Sequence, residues 1–152
     1  LSTRFLTIVL ALLAVLAVPV APATARTVSA PVQIFLEVYG DNQRKLAGMY
    51  GTIDFIDGNS YTYQFYLCRE SSYSAAGGYV WINNRTTQRA SYSVNWGNTT
   101  IPQCRYPAQL ISATDYVGST VTNVRFEVEG VNFSGSTATW LRNGFTYDNP
   151  YN

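Results

Sequence analysis

The chain contains no histidine. That removes the usual general base, the usual partner of a serine or cysteine nucleophile, and the commonest metal ligand. What remains for catalysis is a carboxylate pair or a serine–lysine arrangement. Lys45 is the only lysine and stands beside Arg44 in a polar turn, so serine–lysine chemistry is not expected. Glu127 and Glu129 are two residues apart in a strand-like run, which puts both acids on one face about 7 Å from each other. Such a pair is the raw material of a carboxylate-dependent glycoside hydrolase. The simpler expectation is a solvated polar stripe with Arg125 as same-side neighbour, because a half-buried strand alternates in any case.

Oxygen ligands for a cation occur in Asp41-Asn42, Asp57-Gly58-Asn59 and Asp148-Asn149. Asp, Asn and Gly are also ordinary turn residues, and none of these clusters follows a calcium-loop spacing. Two cysteines without histidine exclude a Cys/His zinc site. No metal and no cofactor is expected.

Aromatic residues are more suggestive. They make up 14% of the chain, more than the charged residues at 12%. Tyr39, Tyr66, Tyr73, Tyr79, Trp81, Trp96 and Trp140 exceed what a core of this size readily buries. Rings exposed beside Asn, Gln and Thr supply contact area at small entropic cost, for sugars or for other proteins. Tyr66, Tyr79, Trp81, Trp96 and Trp140 are the candidate binding residues. For each tryptophan, burial in the core is the simpler expectation and a surface platform the sharper one.

The elements that would position these residues follow a leader. Arg4 precedes an apolar run over residues 5–20, and A-P-A-T-A then places small residues at Ala23 and Ala25. This pattern predicts a secretory signal over 1–25, cleaved before Arg26, with a single secreted domain over 26–152 and no membrane span after cleavage. The opening Leu1 fits either a non-standard start codon or a truncated fragment. Cleavage removes one of ten Lys/Arg and leaves nine against nine Asp/Glu. A formally neutral chain has no field to draw in nucleic acid, so none is expected as a partner.

From residue 32 onward, period-2 alternation recurs at intervals of about ten residues, with no helical periodicity. The strongest unit is 50–68, Y-G-T-I-D-F-I-D-G-N-S-Y-T-Y-Q-F-Y-L-C. Two strands flank the turn Asp57-Gly58-Asn59-Ser60. Ile53, Phe55, Tyr61, Tyr63, Phe65 and Leu67 share the apolar face; Thr52, Asp54, Thr62, Gln64 and Tyr66 share the other. Further strands are expected at 32–39, 79–83, 90–96, 110–116, 122–133, 137–141 and 145–147, with loops at 70–78 and 84–89. Gly130 sits at a parity change and is expected to mark a β-bulge. Asn143-Gly144 reads as a turn or a second bulge. The whole reads as an all-β antiparallel β-sandwich, immunoglobulin-like or jelly-roll-like, of seven to nine short strands.

Cys68 and Cys104 form one disulfide in an exported chain, worth about 3–4 kcal/mol for a loop of this length. Cys68 has the parity of Gln64 and Tyr66, not of Phe65 and Leu67. The bridge should therefore pin residues 97–107 over the end or outer face of the hairpin, leaving the core alone. The same loop, extended and flanked by Pro102 and Pro107, gives the alternative expectation of an inhibitor of an extracellular protease, with residues 97–107 presented pre-organised to the enzyme.

The Ala-rich leader, the strand ending Y-Q-F-Y-L-C-R, the late V-R-F-E-V strand and the D-N-P-Y close resemble small secreted disulfide-containing β-sandwich proteins of unknown function from high-G+C Gram-positive bacteria. The single cysteine pair and longer hairpin depart from that group. The resemblance implies compartment and architecture and carries no catalytic residue. In a bacterial setting the Asn84-Arg85-Thr86, Asn98-Thr99-Thr100 and Asn132-Phe133-Ser134 acceptor patterns would mean little. The leading expectation is a secreted, non-enzymatic binding module for an extracellular glycan or protein.

Overall fold

The computed structural model describes residues 29–71 and 74–152; the expected leader over 1–25 and Tyr73 lie outside the described residues. Among the described residues eight strands form two four-stranded antiparallel sheets. Sheet A has the order β1 (Val32–Tyr39), β2 (Lys45–Phe55), β3 (Ser60–Arg69), β6 (Gln109–Tyr116). Sheet B has the order β5 (Thr87–Val94), β4 (Ala76–Ile82), β7 (Asn123–Ser134), β8 (Thr137–Asp148). The protein is an all-β sandwich with one disulfide, as the alternation predicts.

The β2–β3 hairpin supplies half of the core. Its register sets Ile53 opposite Tyr63 and Phe55 opposite Tyr61, so the predicted apolar face is one continuous surface. All six of its residues are buried. Sheet B answers with Val80, Ile82, Val124, Phe126 and Val128, and the Phe126 ring meets Tyr63 and Phe65 edge-on at 5.5 and 5.9 Å. Each buried aromatic or branched side chain stabilises by about 1.5–3 kcal/mol, which is why this face governs the register. Tyr63 keeps its hydroxyl satisfied inside the core through Tyr92, 2.7 Å away.

The two sheets are linked by a bent ribbon. β3 pairs with β6 in one sheet, while their neighbours in sequence, β4 and β5, pair in the other. β1–β2 then adds to β3, and β7–β8 adds to β4.

Four local expectations change. Residues 70–78 are not all loop: Ala76, Gly77 and Gly78 begin β4. Gly78 is there for space, since a Cβ on it would lie 2.9 Å from Leu67 Cδ2 and 3.2 Å from Met49 Cε. Trp96 lies beyond the end of β5 at Val94. The pairing of β7 with β8 runs without a shift from Asn123 to Ser134, so Gly130 is no bulge. It lies against β2, where a side chain would meet Leu46 Cβ at 2.7 Å. For the same reason Asn143-Gly144 neither turns nor bulges, and β8 is one strand through both. The bulges fall elsewhere, between Val38 and Tyr39 opposite β2, and between Val80 and Trp81 opposite β5.

Candidate functional site

The outer face of sheet A places four apolar side chains in a row across all its strands. Phe35 is opposite Tyr50, Tyr50 opposite Tyr66, and Tyr66 opposite Leu110. Phe35 packs edge-on to Tyr50 at 5.2 Å and is 64% exposed. Beside this row runs a second one, Gln33–Thr52–Gln64–Ser112, and then Asp54–Thr62–Thr114. Strands about 4.8 Å apart make the two four-residue rows about 14 Å long and the third about 10 Å, and neighbouring rows lie about 7 Å apart. Tyr50 itself is buried, so the accessible strip consists of Phe35, Tyr66 and Leu110 alongside amides and hydroxyls, with Asp54 its one charge among these residues.

The disulfide closes one end of that strip. Cys68 is on the outer face and bonds to Cys104, with Cα atoms 6.0 Å apart. Residues Ile101 and Cys104 pack with Ala108 and Tyr66 onto Cys68 and Tyr50, a cluster separate from the main core. The parity argument for the bridge therefore holds. The loop itself is not extended: the Cys104 N–H donates to the Ile101 carbonyl at 3.1 Å, folding the chain into a turn. That geometry does not favour protease presentation.

Under the loop lies a charged network that fixes the strip's edge. Lys45 Nζ donates to Glu37 Oε1 at 3.2 Å, the Tyr50 hydroxyl at 3.1 Å and the Gln103 carbonyl at 2.6 Å, and pairs with Glu70 at 3.3 Å. The Glu70 carboxylate accepts the Arg105 backbone N–H. Burial disfavours the Glu37 charge, but hydrogen bonds from Tyr39, Tyr50 and Lys45 outweigh it and hold the carboxyl below its ordinary range. Burial also opposes the Lys45 charge, yet Tyr50 and Glu37 push its pKa up. Lys45 is thereby held as a fixed cation, tying β1, β2 and the disulfide loop together.

The five candidate binding residues separate into three places. Tyr66 is on the strip. Trp96, 62% exposed, stacks on Arg69 at 4.8 Å, and Tyr106 takes the same guanidinium at 5.1 Å. Tyr79, Trp81 and Trp140 lie on the strands of sheet B, and Trp140 is 57% exposed. None of the three tryptophans belongs to the core. The alternation already separated Trp81 from Val80 and Ile82, so its outward parity was readable; Trp96 and Trp140 escaped because a loop and an edge strand offer no facing layer.

Sheet B's outer face also corrects the reading of Glu127 and Glu129. They are buried, Glu127 to 1% exposure, and are no solvated stripe. Glu127 pairs with Arg125 at 2.8 Å, Arg85 at 3.1 Å and Arg142 at 3.4 Å. Glu129 accepts from Arg142 Nε and from the Tyr79 hydroxyl, each at 2.9 Å. The guanidinium of Arg142 lies 4.2 Å from the Tyr79 ring centre and that of Arg85 5.2 Å from Trp81's. Two glycines make room: a Cβ on Gly144 would meet Glu127 Cγ at 2.7 Å, and one on Gly77 would meet Glu129 Cβ at 3.2 Å. Arg85 reaches Glu127 from a turn in which Asn83, Asn84 and Arg85 all have positive φ (54°, 57° and 67°). The result is a layered brace of rings, guanidiniums and carboxylates, with both acids' oxygens engaged.

Among the described residues one group of three metal-ligating types comes together, Cys68, Glu70 and Cys104, and its two sulfurs are bonded to each other. No described helix is long and apolar enough to cross a membrane. The disulfide fits an oxidising compartment. In comparisons with protein-family models, curated proteins and solved structures, nothing matches this chain.

Proposed function

We propose that the chain is a secreted, non-enzymatic binding module whose ligand is a neutral polysaccharide laid along the outer face of sheet A. The observation that carries this reading is the accessible set Phe35, Tyr66 and Leu110, aligned across the sheet over buried Tyr50, beside the amide and hydroxyl row Gln33–Thr52–Gln64–Ser112. A sugar ring has apolar C–H faces and equatorial hydroxyls. Aromatic and aliphatic area takes the first, and side chains that both donate and accept take the second. The near absence of charge on this strip favours an uncharged ligand. Mounting it on a four-stranded sheet, with one edge stapled by the disulfide, keeps the side chains pre-ordered and lowers the entropic cost of binding.

The test is retention of the mature chain on insoluble and soluble polysaccharides (cellulose, chitin, starch, xylan, cell-wall peptidoglycan). Retention on at least one is expected, with a several-fold loss for Phe35→Ala and for Gln64→Ala, and no loss for Trp140→Ala on the other sheet. Retention on none of them defeats the reading. N-terminal sequencing of the exported protein checks the predicted start at Arg26.

A further inference from the structure

We infer that the corner between the β1–β2 turn and the tip of the β7–β8 hairpin is a pocket for a single uncharged sugar residue, separate from the flat strip. The inference rests on the reading of the chain as a glycan-binding module and adds a second, concave site to it. A cavity of about 380 Å³ opens there, within the range of small-ligand pockets, about 300–1,000 Å³.

Its floor is apolar. Leu46 and Val131, both buried, line it from β2 and β7. Leu46 is turned inward by the β-bulge that shifts the β1–β2 register, where Val38 pairs with Ala47 and Tyr39 with Lys45. Its side wall is the half-exposed ring of Phe133.

Its rim is polar and pre-ordered. Asn132 Nδ2 donates to Asp41 Oδ2 at 2.9 Å, and Asn132 Oδ1 accepts the Asp41 N–H at 3.4 Å. The Asn132 amide thus holds Asp41 at two points, its backbone N–H and its carboxylate. The approach is close enough that a Cβ on Gly40 would collide with the Asn132 amide. Asn42 and Gln43 follow with φ of 57° and 59°, a conformation uncommon outside glycine. Asn42 and Arg44 both line the cavity.

These groups select the ligand class. Adjacent sugar hydroxyls each donate and accept, which matches a carboxylate, two amides and a guanidinium around one opening. The Phe133 ring and the Leu46–Val131 floor match the C–H face of the same sugar. Asp41 and Arg44 offset each other in charge, so an anionic or cationic ligand gains no net attraction. A chain end or a free monosaccharide satisfies all three conditions.

The experiment is NMR titration of the mature chain with free glucose, galactose, mannose and N-acetylglucosamine. It is repeated on Asp41→Asn and Phe133→Ala, alongside polysaccharide retention of the same proteins. At least one monosaccharide should shift amides in 40–46 and 130–135, and both variants should weaken that binding about tenfold or more. Their melting temperature and their retention on polysaccharide should be unchanged. If polysaccharide is retained while no monosaccharide shifts this region, or if both variants bind as tightly as the parent, the pocket is overturned and the strip stands. If monosaccharides titrate the pocket while no polysaccharide is retained, the strip is overturned and the pocket stands. Folding of the variants is read from the dispersion of the same spectra.

Discussion

Arg89 and Asp115 clamp the two sheets together along one side of the sandwich. Arg89 is the extra residue of the bulge in β5, which opposes Ala90 to Val80 and Gln88 to Trp81. Its Nε donates to Asp115 Oδ2 at 2.7 Å and its terminal nitrogen to Oδ1 at 2.6 Å, a two-point contact with β6 of the other sheet. The Tyr61 hydroxyl donates to the same carboxylate at 2.7 Å. A bulge re-aims the side chain it carries, and here it aims a β5 residue across the gap between layers.

Removing this clamp should cost stability at neutral pH and flatten the acid limb. The Arg89 guanidinium holds the Asp115 carboxyl below the usual carboxylate range; burial opposes this and Tyr61 assists it. A carboxyl more acidic when folded contributes in full above the unfolded pKa, about 3.9, and the contribution drains away as pH falls through the folded value. Asp115→Asn is therefore expected to lose about 1.5–3 kcal/mol at pH 7 and less than that relative to the parent at pH 2. Urea unfolding at the two pH values measures it; an equal loss at both would refute the electrostatic account.

Alkaline pH should unfold the protein through its core tyrosines. Burial, followed by the hydrogen bond to Asp115 for Tyr61 and to Tyr92 for Tyr63, pushes both phenols up, and burial followed by Glu37 does so for Tyr50. A phenol raised in the folded state stabilises fully below its unfolded pKa, near 10, and that stability is lost as pH rises beyond it. Absorbance of tyrosinate against pH should rise in at least two steps, with Tyr50, Tyr61 and Tyr63 absent from the first. A later, cooperative step should coincide with loss of the β signal in circular dichroism. A single smooth titration near pH 10 would contradict this.

Breaking the disulfide should cost stability without unfolding the sandwich. Cys68 and Cys104 brace a surface cluster of Tyr50, Tyr66, Ile101 and Ala108, while the main core lies on the opposite face of the hairpin. The double substitution Cys68→Ala with Cys104→Ala is expected to lose about 3–4 kcal/mol and to open residues 98–106 to proteolysis. Chemical denaturation and mapping of protease cuts read the two effects separately. Cuts spread through β2 and β3 at equal rate would place the bridge in the core.

Glu127 should be indispensable to sheet B although it faces away from the core. It is the shared partner of Arg85, Arg125 and Arg142. Glu127→Gln leaves three guanidiniums facing one another over a neutral amide. Breaking a buried pair costs about 3–5 kcal/mol, and the partly exposed arginines bring the expected loss down to about 2 kcal/mol. Thermal melts in low and high salt test this, with the variant gaining more from salt than the parent as screening relieves the arginines.

The sequence by itself determined the strands, their inward faces and the side of the hairpin on which the disulfide lies, because side-chain alternation is local and needs no knowledge of neighbours. Cys68 follows Tyr66 in parity, and the bridge lies outside the core accordingly. Only the tertiary structure decided which outward residues meet. Phe35 and Leu110 are far apart in the chain and join one row because β1 pairs with β2 and β6 with β3. Asp41 and Asn132 meet only where the β1–β2 turn abuts the β7–β8 hairpin. The burial of Glu127 likewise depended on Arg85 from the β4–β5 turn and Arg142 from β8 joining Arg125, its neighbour on β7. A polar residue's alternation fixes the face it points to, but the neighbours brought by non-local pairing decide whether that face is water, brace or binding surface.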